Sequence, residues 1–124
     1  MSNPFMQYKQ QSINTMSSGE LIIKLFEEAY KNLLRASMLY KENKPSDATV
    51  FTEKTKKIFN HLISILNFNV EISQNLYQLY MFFNQQIITA EVKQSAGPID
   101  EILPLISDLK TTWGEAEKLV HMKK

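Results

Sequence analysis

Cysteine is absent from this chain of 124 residues. That excludes disulfides, thiolate catalysis and cysteine-ligated metals. It also fits a reducing compartment. Glycine occurs three times and proline four times. So few breakers suit long helices and disfavour an all-β chain. No apolar run approaches the roughly 18 residues of a membrane-spanning helix, so no membrane insertion is expected. The opening MSNPFMQYKQQ has no basic segment followed by an apolar one, so it does not read as a secretory signal. The expected location is the cytosol. Charge of one sign is also lacking. A net charge of +1 gives no electrostatic case for nucleic acid.

Reactive constellations are missing as well. The two histidines are His61 and His121. No H-E-x-x-H, no E-x-x-H, no glycine-rich phosphate loop and no G-x-S-x-G occurs. His61 lies at the edge of an apolar stripe with no acid or metal partner nearby in sequence, so a structural or exposed role is expected. Lys54, Lys56 and Lys57 are balanced by acidic groups and read as solvated surface. Neither catalysis, nor a cofactor, nor a metal is expected. A binding module is the best physical class.

What the chain does have is helical periodicity. Ser17-Ser18-Gly19-Glu20 is a capping box, with Met16 and Leu21 at the staple positions. From there, Ile22, Leu25, Phe26, Ala29, Leu33, Ala36 and Tyr40 recur at helical spacing over residues 17–42. Asn43 to Asp47, with Pro45, breaks the pattern, and Ser46 or Asp47 could cap the next helix. That helix spans about 47–68 on Phe51, Thr55, Ile58, Phe59, Leu62, Ile65 and Leu66. Asn67 and Asn69 mark a second break. A third helix spans about 70–94 on Ile72, Leu76, Leu79, Phe83, Ile87 and Ala90. Gly97-Pro98 reads as its stop. A fourth spans about 98–122 on Ile99, Ile102, Ile106, Leu109, Trp113, Ala116 and Val120. Pro104 lies inside that pattern and should bend the first turns or delay the helix.

One stripe per helix and short connections predict a single all-α domain, an up-down antiparallel four-helix bundle. Residues 1–16 are polar apart from Phe5, Met6, Tyr8 and Ile13, and read as a mobile N-terminal arm. Phe5 and Tyr8 are three apart and could lie in a groove on the bundle. The third helix is apolar well beyond one stripe, with Tyr77, Tyr80, Met81, Phe82 and Ile88. A bundle buries only one face of each helix. Those five are therefore expected to form a partly exposed binding face.

The ordered set of motifs resembles the flagellin-export chaperone family, FliS. The residues that carry the resemblance begin with Tyr8-Lys9, Asn14-Thr15, Ser17-Ser18-Gly19-Glu20-Leu21-Ile22 and Leu25-Phe26-Glu27-Glu28-Ala29. They continue through Leu66-Asn67-Phe68, then Ile72 with Asn75-Leu76-Tyr77 and Leu79-Tyr80. They end with Ile102-Leu103, Leu105-Ile106, Leu109-Lys110, Trp113 and Glu115-Ala116. The chain departs from the family's pattern at four places: Ser18 for proline, Asn69-Val70 for a glycine pair, Glu91 for asparagine, and Pro104. The resemblance implies a bacterial cytosolic chaperone whose partner is the C-terminal segment of flagellin. It would keep flagellin from polymerising early and deliver it to a second partner, the export machinery. It would be a monomer without its client. The alternative is a self-associating structural bundle with no client.

Overall fold

The computed structural model describes residues 18–122. The arm over residues 1–16, with Phe5 and Tyr8, lies outside them. Four helices occupy the described residues: α1 (Ser18–Lys41), α2 (Pro45–Ser64), α3 (Ile72–Lys93) and α4 (Gly97–Met122). Each packs on the next and α4 closes onto α1, so α1 and α3 stand diagonally across the bundle. Side-chain pairs give the directions. Ser37 near the end of α1 donates to Asp100 near the start of α4 at 2.6 Å, and Glu27 meets Lys110 at 3.3 Å. Thr52 and Asn60 of α2 meet Glu91 and Asn84 of α3 in reversed order. Both pairs of helices run antiparallel, as the expected up-down bundle requires.

Helix ends differ from the sequence expectation where local turn chemistry decides. At the end of α1, Asn43 takes the left-handed conformation at φ 59°. Lys44 N–H bonds to Leu39 O at 2.9 Å and Asn43 N–H to Tyr40 O at 3.1 Å. This is a Schellman closure with asparagine in the usual glycine position. Helix α2 then starts at Pro45 rather than at a Ser46 or Asp47 cap, and no side-chain cap hydrogen bond is made. Proline's fixed φ suits a first helical turn, where its missing N–H is not needed.

The end of α2 falls at Ser64, four residues before the expected Phe68. Asn67 builds the link that follows. Its side chain accepts from Asn69 N–H at 3.0 Å and its carbonyl from Val70 N–H at 2.9 Å. An asparagine that turns the chain on its own side chain needs neither glycine nor proline. The stop of α3 is Gln94, left-handed at φ 51°, with Ser95 N–H bonded to Ala90 O at 3.1 Å. Gly97-Pro98 therefore opens α4 instead of ending α3. Pro104 neither stops nor delays that helix. It forfeits one backbone bond, while Ile102, Leu103 and Ile106 around it are buried and hold the helix in place.

The core follows the predicted stripes in part. Phe26, Leu33, Phe59, Phe83, Ile87, Ile99, Ile102 and Ile106 are fully enclosed. Ile65 and Ile72 are not; both are about half exposed beside the α2–α3 link. Leu79 is only partly buried. Thr55 is enclosed as its stripe position predicts, and Thr52 is enclosed as well, each with its hydroxyl bonded to a carbonyl or carboxylate. Ile106→Ala is expected to destabilise by about 2–5 kcal/mol in urea unfolding, because it leaves a cavity in a closed core. Leu79→Ala should cost clearly less. Equal losses would contradict the burial difference.

Candidate functional site

Helix geometry sorts the apolar excess of α3. At 3.6 residues per turn, positions 77, 81, 88 and 92 return to the same side. Tyr77, Met81, Ile88 and Val92 are all exposed, Val92 at 78 %. They form a stripe about 22 Å long at 1.5 Å per residue. The stripe flanks α2, because Asn84 and Glu91 beside it bond to Asn60, Thr52 and Lys56 of that helix. Phe68 in the α2–α3 link extends it, its ring packing edge-on against Tyr77 at 5.9 Å. Ile65 and Val70 in the same link are exposed too.

Two of the five expected face residues lie elsewhere. Tyr80 was expected on the exposed face, but it is buried, with 1 % of its surface accessible. Its ring stacks on Phe59 at 5.9 Å and tilts against Phe26 at 6.3 Å, so it joins α1, α2 and α3 through the core. Burial pushes its hydroxyl up to about 12. Phe82 is exposed but faces away from the stripe, on the side where Gln86 reaches Glu101 of α4 at 2.7 Å. The structure thus brings Tyr77, Met81 and Ile88 together and separates Tyr80 and Phe82 from them. Sequence reading missed Val92, although it continues the i+4 step from Ile88. It also placed Phe68 inside α2.

An apolar cavity of about 410 Å³ opens at the end of the bundle where α1 starts. Ile22 of α1, Leu62 and Leu66 of α2 and its link, Ile72 and Leu76 of α3, and Trp113 of α4 line it. Trp113 stands edge-on to Phe26 at 5.9 Å and is partly buried, an anchor that also faces the opening. Val70 and Ile65 lie at its rim, so cavity and stripe are joined through the link. A second opening between α1 and α4, about 450 Å³, is lined mostly by charged residues. Two of its three lysines pair with its glutamates, Lys110 with Glu27 at 3.3 Å and Lys31 with Glu28 at 3.8 Å.

A largely buried ion pair, Lys56 with Glu91, joins α2 to α3. Glu91 accepts from the Thr52 hydroxyl with one oxygen and from the Lys56 ammonium with the other, each at 2.7 Å. Lys56 also meets Glu53 at 2.7 Å. Burial pushes the Lys56 ammonium down, but hydrogen bonds to Glu53 and Glu91 outweigh it and the net direction is up. The Lys56 hydrogen bond, then its charge, holds the Glu53 carboxyl below the usual range. Lys56 is therefore a structural tie, not the solvated residue expected from sequence. No group of three His, Asp or Glu among the described residues is placed to hold a metal ion. Among the described residues, no helix is long and apolar enough to cross a membrane.

A helical bundle with a long exposed apolar stripe offers a surface for binding. Residues 1–120 match the family model described as flagellar protein FliS, and the chain belongs to that family. A flagellar secretion chaperone FliS of Bacillus subtilis (strain 168) is 25% identical over 116 residues, covering 94% of this chain and 87% of its own. A protein of the same name from Escherichia coli (strain K12) is 21% identical over 110 residues, covering 86% of this chain and 81% of its own. The class is that of a flagellar secretion chaperone.

Proposed function

We propose that this protein binds the C-terminal segment of newly made flagellin in the bacterial cytosol, keeps it from polymerising early, and delivers it to the export apparatus. The observation that carries this reading is the stripe of Tyr77, Met81 and Ile88, large apolar side chains that the bundle core does not use. A disordered client loses conformational entropy when it binds, so it needs a long apolar contact more than one deep pocket. The stripe is long, and the link carries it into the apolar cavity. Met81 supplies an unbranched, adaptable contact on its path. Phe82, on the far side of α3, would meet the client only if it wraps around the helix.

Light scattering on the protein alone and with a flagellin C-terminal peptide tests this reading. A monomer that becomes a one-to-one complex supports it. The same stripe would also serve a self-associating bundle without a client, which predicts a tight dimer that ignores the peptide.

The arm belongs to the same proposal. The chain enters α1 at Ser18, one turn before Ile22 at the cavity wall. Phe5 and Tyr8 are the aromatic residues available in the preceding segment. They occupy part of the apolar surface until the client displaces them. Deleting residues 1–12 is then expected to tighten peptide binding several-fold and to speed hydrogen exchange around the cavity. Unchanged affinity and unchanged exchange would contradict the arm's role.

A further inference from the structure

The polar ties between helix α3 and its neighbours lie in its C-terminal half. Among the described residues, every side-chain hydrogen bond between α3 and another helix involves Asn84 or Gln86 as donor or Glu91 as acceptor. The strongest is the Glu91 clasp, which engages Thr52 and Lys56 at 2.7 Å each. Its members are largely shielded, the Lys56 and Glu91 side chains being 21% and 16% exposed. Charge-assisted bonds of that length in a shielded place are among the firmer polar ties a bundle can make.

The other end is different. Among the described residues, no side-chain hydrogen bond or ion pair joins α3 to another helix from Ile72 to Tyr80. What holds that end is apolar contact, and the cavity of about 410 Å³ interrupts it beneath Leu76 and Tyr80. Van der Waals contact is lost wherever a wall faces a void. The segment that leads into α3 is a run of turns with Ile65, Phe68 and Val70 exposed, so little packing restrains it. Helix α3 also has the thinnest backbone contacts with its neighbours, and none of substance with α1.

We infer that α3 is a hinged wall: the Glu91 clasp fixes its C-terminal end, and its N-terminal end swings outward to open the apolar cavity beneath Leu76 and Tyr80. A tilt of about 10° about Glu91 moves Leu76 by about 4 Å, given a rise of 1.5 Å per residue. That is a hinge motion of ordinary size. It converts a cavity partly roofed by α3 into a groove continuous with the exposed stripe. The device goes beyond the identity of the client and exists in the free protein.

Hydrogen exchange on the free, full-length protein tests it. Amides of residues 76–81 all lie inside α3 and should exchange at least about tenfold faster than those of residues 84–91, since sub-global opening shows as a difference in protection within one element. Equal protection at both ends, or slower exchange at residues 76–81, overturns the hinge. Glu91→Gln keeps the shape but removes the charge facing Lys56. It should bring residues 84–91 to the rate of residues 76–81 while α1 amides over residues 26–36 keep theirs. No change at residues 84–91, or an equal loss across α1, overturns the clasp as the fixed point. If the variant does not fold, the wild-type comparison alone decides. No client is present in this experiment, so its failure leaves the flagellin reading standing, and failure to bind flagellin leaves the hinge standing.

Discussion

Tyr80→Ala is expected to lower the stability of the free bundle by about 3–5 kcal/mol, the usual cost of removing a fully enclosed aromatic side chain. The ring lies between Phe59 and Phe26, at 5.9 and 6.3 Å, so its loss opens a void shared by three helices. A bundle of this size has only about 5–15 kcal/mol in total, so a large share of the protein could unfold at physiological temperature. Urea unfolding followed by circular dichroism reads the loss directly. Tyr80→Phe retains the ring and should keep most of the stability. A loss near zero for Tyr80→Ala, together with weaker flagellin binding, would return this residue to the exposed face and contradict its burial.

The second large effect runs the other way, on binding with little cost to the fold. Met81 and Ile88 are 46% and 42% exposed in the middle of the stripe. Met81→Asp combined with Ile88→Asp would place two carboxylates where a client lays apolar groups. A charge stripped of water without a partner costs several kcal/mol. At 1.4 kcal/mol per tenfold, affinity for a flagellin C-terminal peptide should fall by at least about 100-fold. The fold should lose only about 1 kcal/mol, from the poorer helix propensity of aspartate at exposed sites. Calorimetry on the variant beside a thermal melt separates the two quantities. Unchanged affinity would remove the stripe from the client path. A collapse in melting temperature would mean that the stripe belongs to the core.

These two expectations show how much of the site the amino-acid order made legible. Periodicity found the helices because each buries one stripe, and Phe26, Leu33, Phe59, Ile87 and Ile106 lie where the 3.6-residue period puts them. It also found the excess of apolar residues on α3. It could not divide that excess. Tyr80 and Met81 are neighbours in sequence, yet one is enclosed and the other exposed, because α1 and α2 supply Phe26 and Phe59 as partners on one side only. Partner placement is a tertiary fact and leaves no local trace. The same holds for Thr52 and Lys56, which look like surface until Glu91 reaches them from α3. The helix ends were misjudged for a different reason. Gln94 carries the left-handed turn where Gly97-Pro98 was expected to stop α3, Asn43 carries another at the end of α1, and Gly97 starts a helix. Turn propensity is weak enough for packing on either side to override it.

The family places this chain among flagellar secretion chaperones, and the exposed stripe on α3 is the surface proposed for its client. Isothermal titration of the full-length protein with the C-terminal segment of flagellin tests that connection most directly. One-to-one binding with a negative heat-capacity change, the mark of apolar burial, is predicted for the wild type, and its loss for the Met81→Asp, Ile88→Asp variant. A wild-type protein that binds no flagellin tail, or a variant that binds it as well as the wild type, would contradict the proposed use of the stripe.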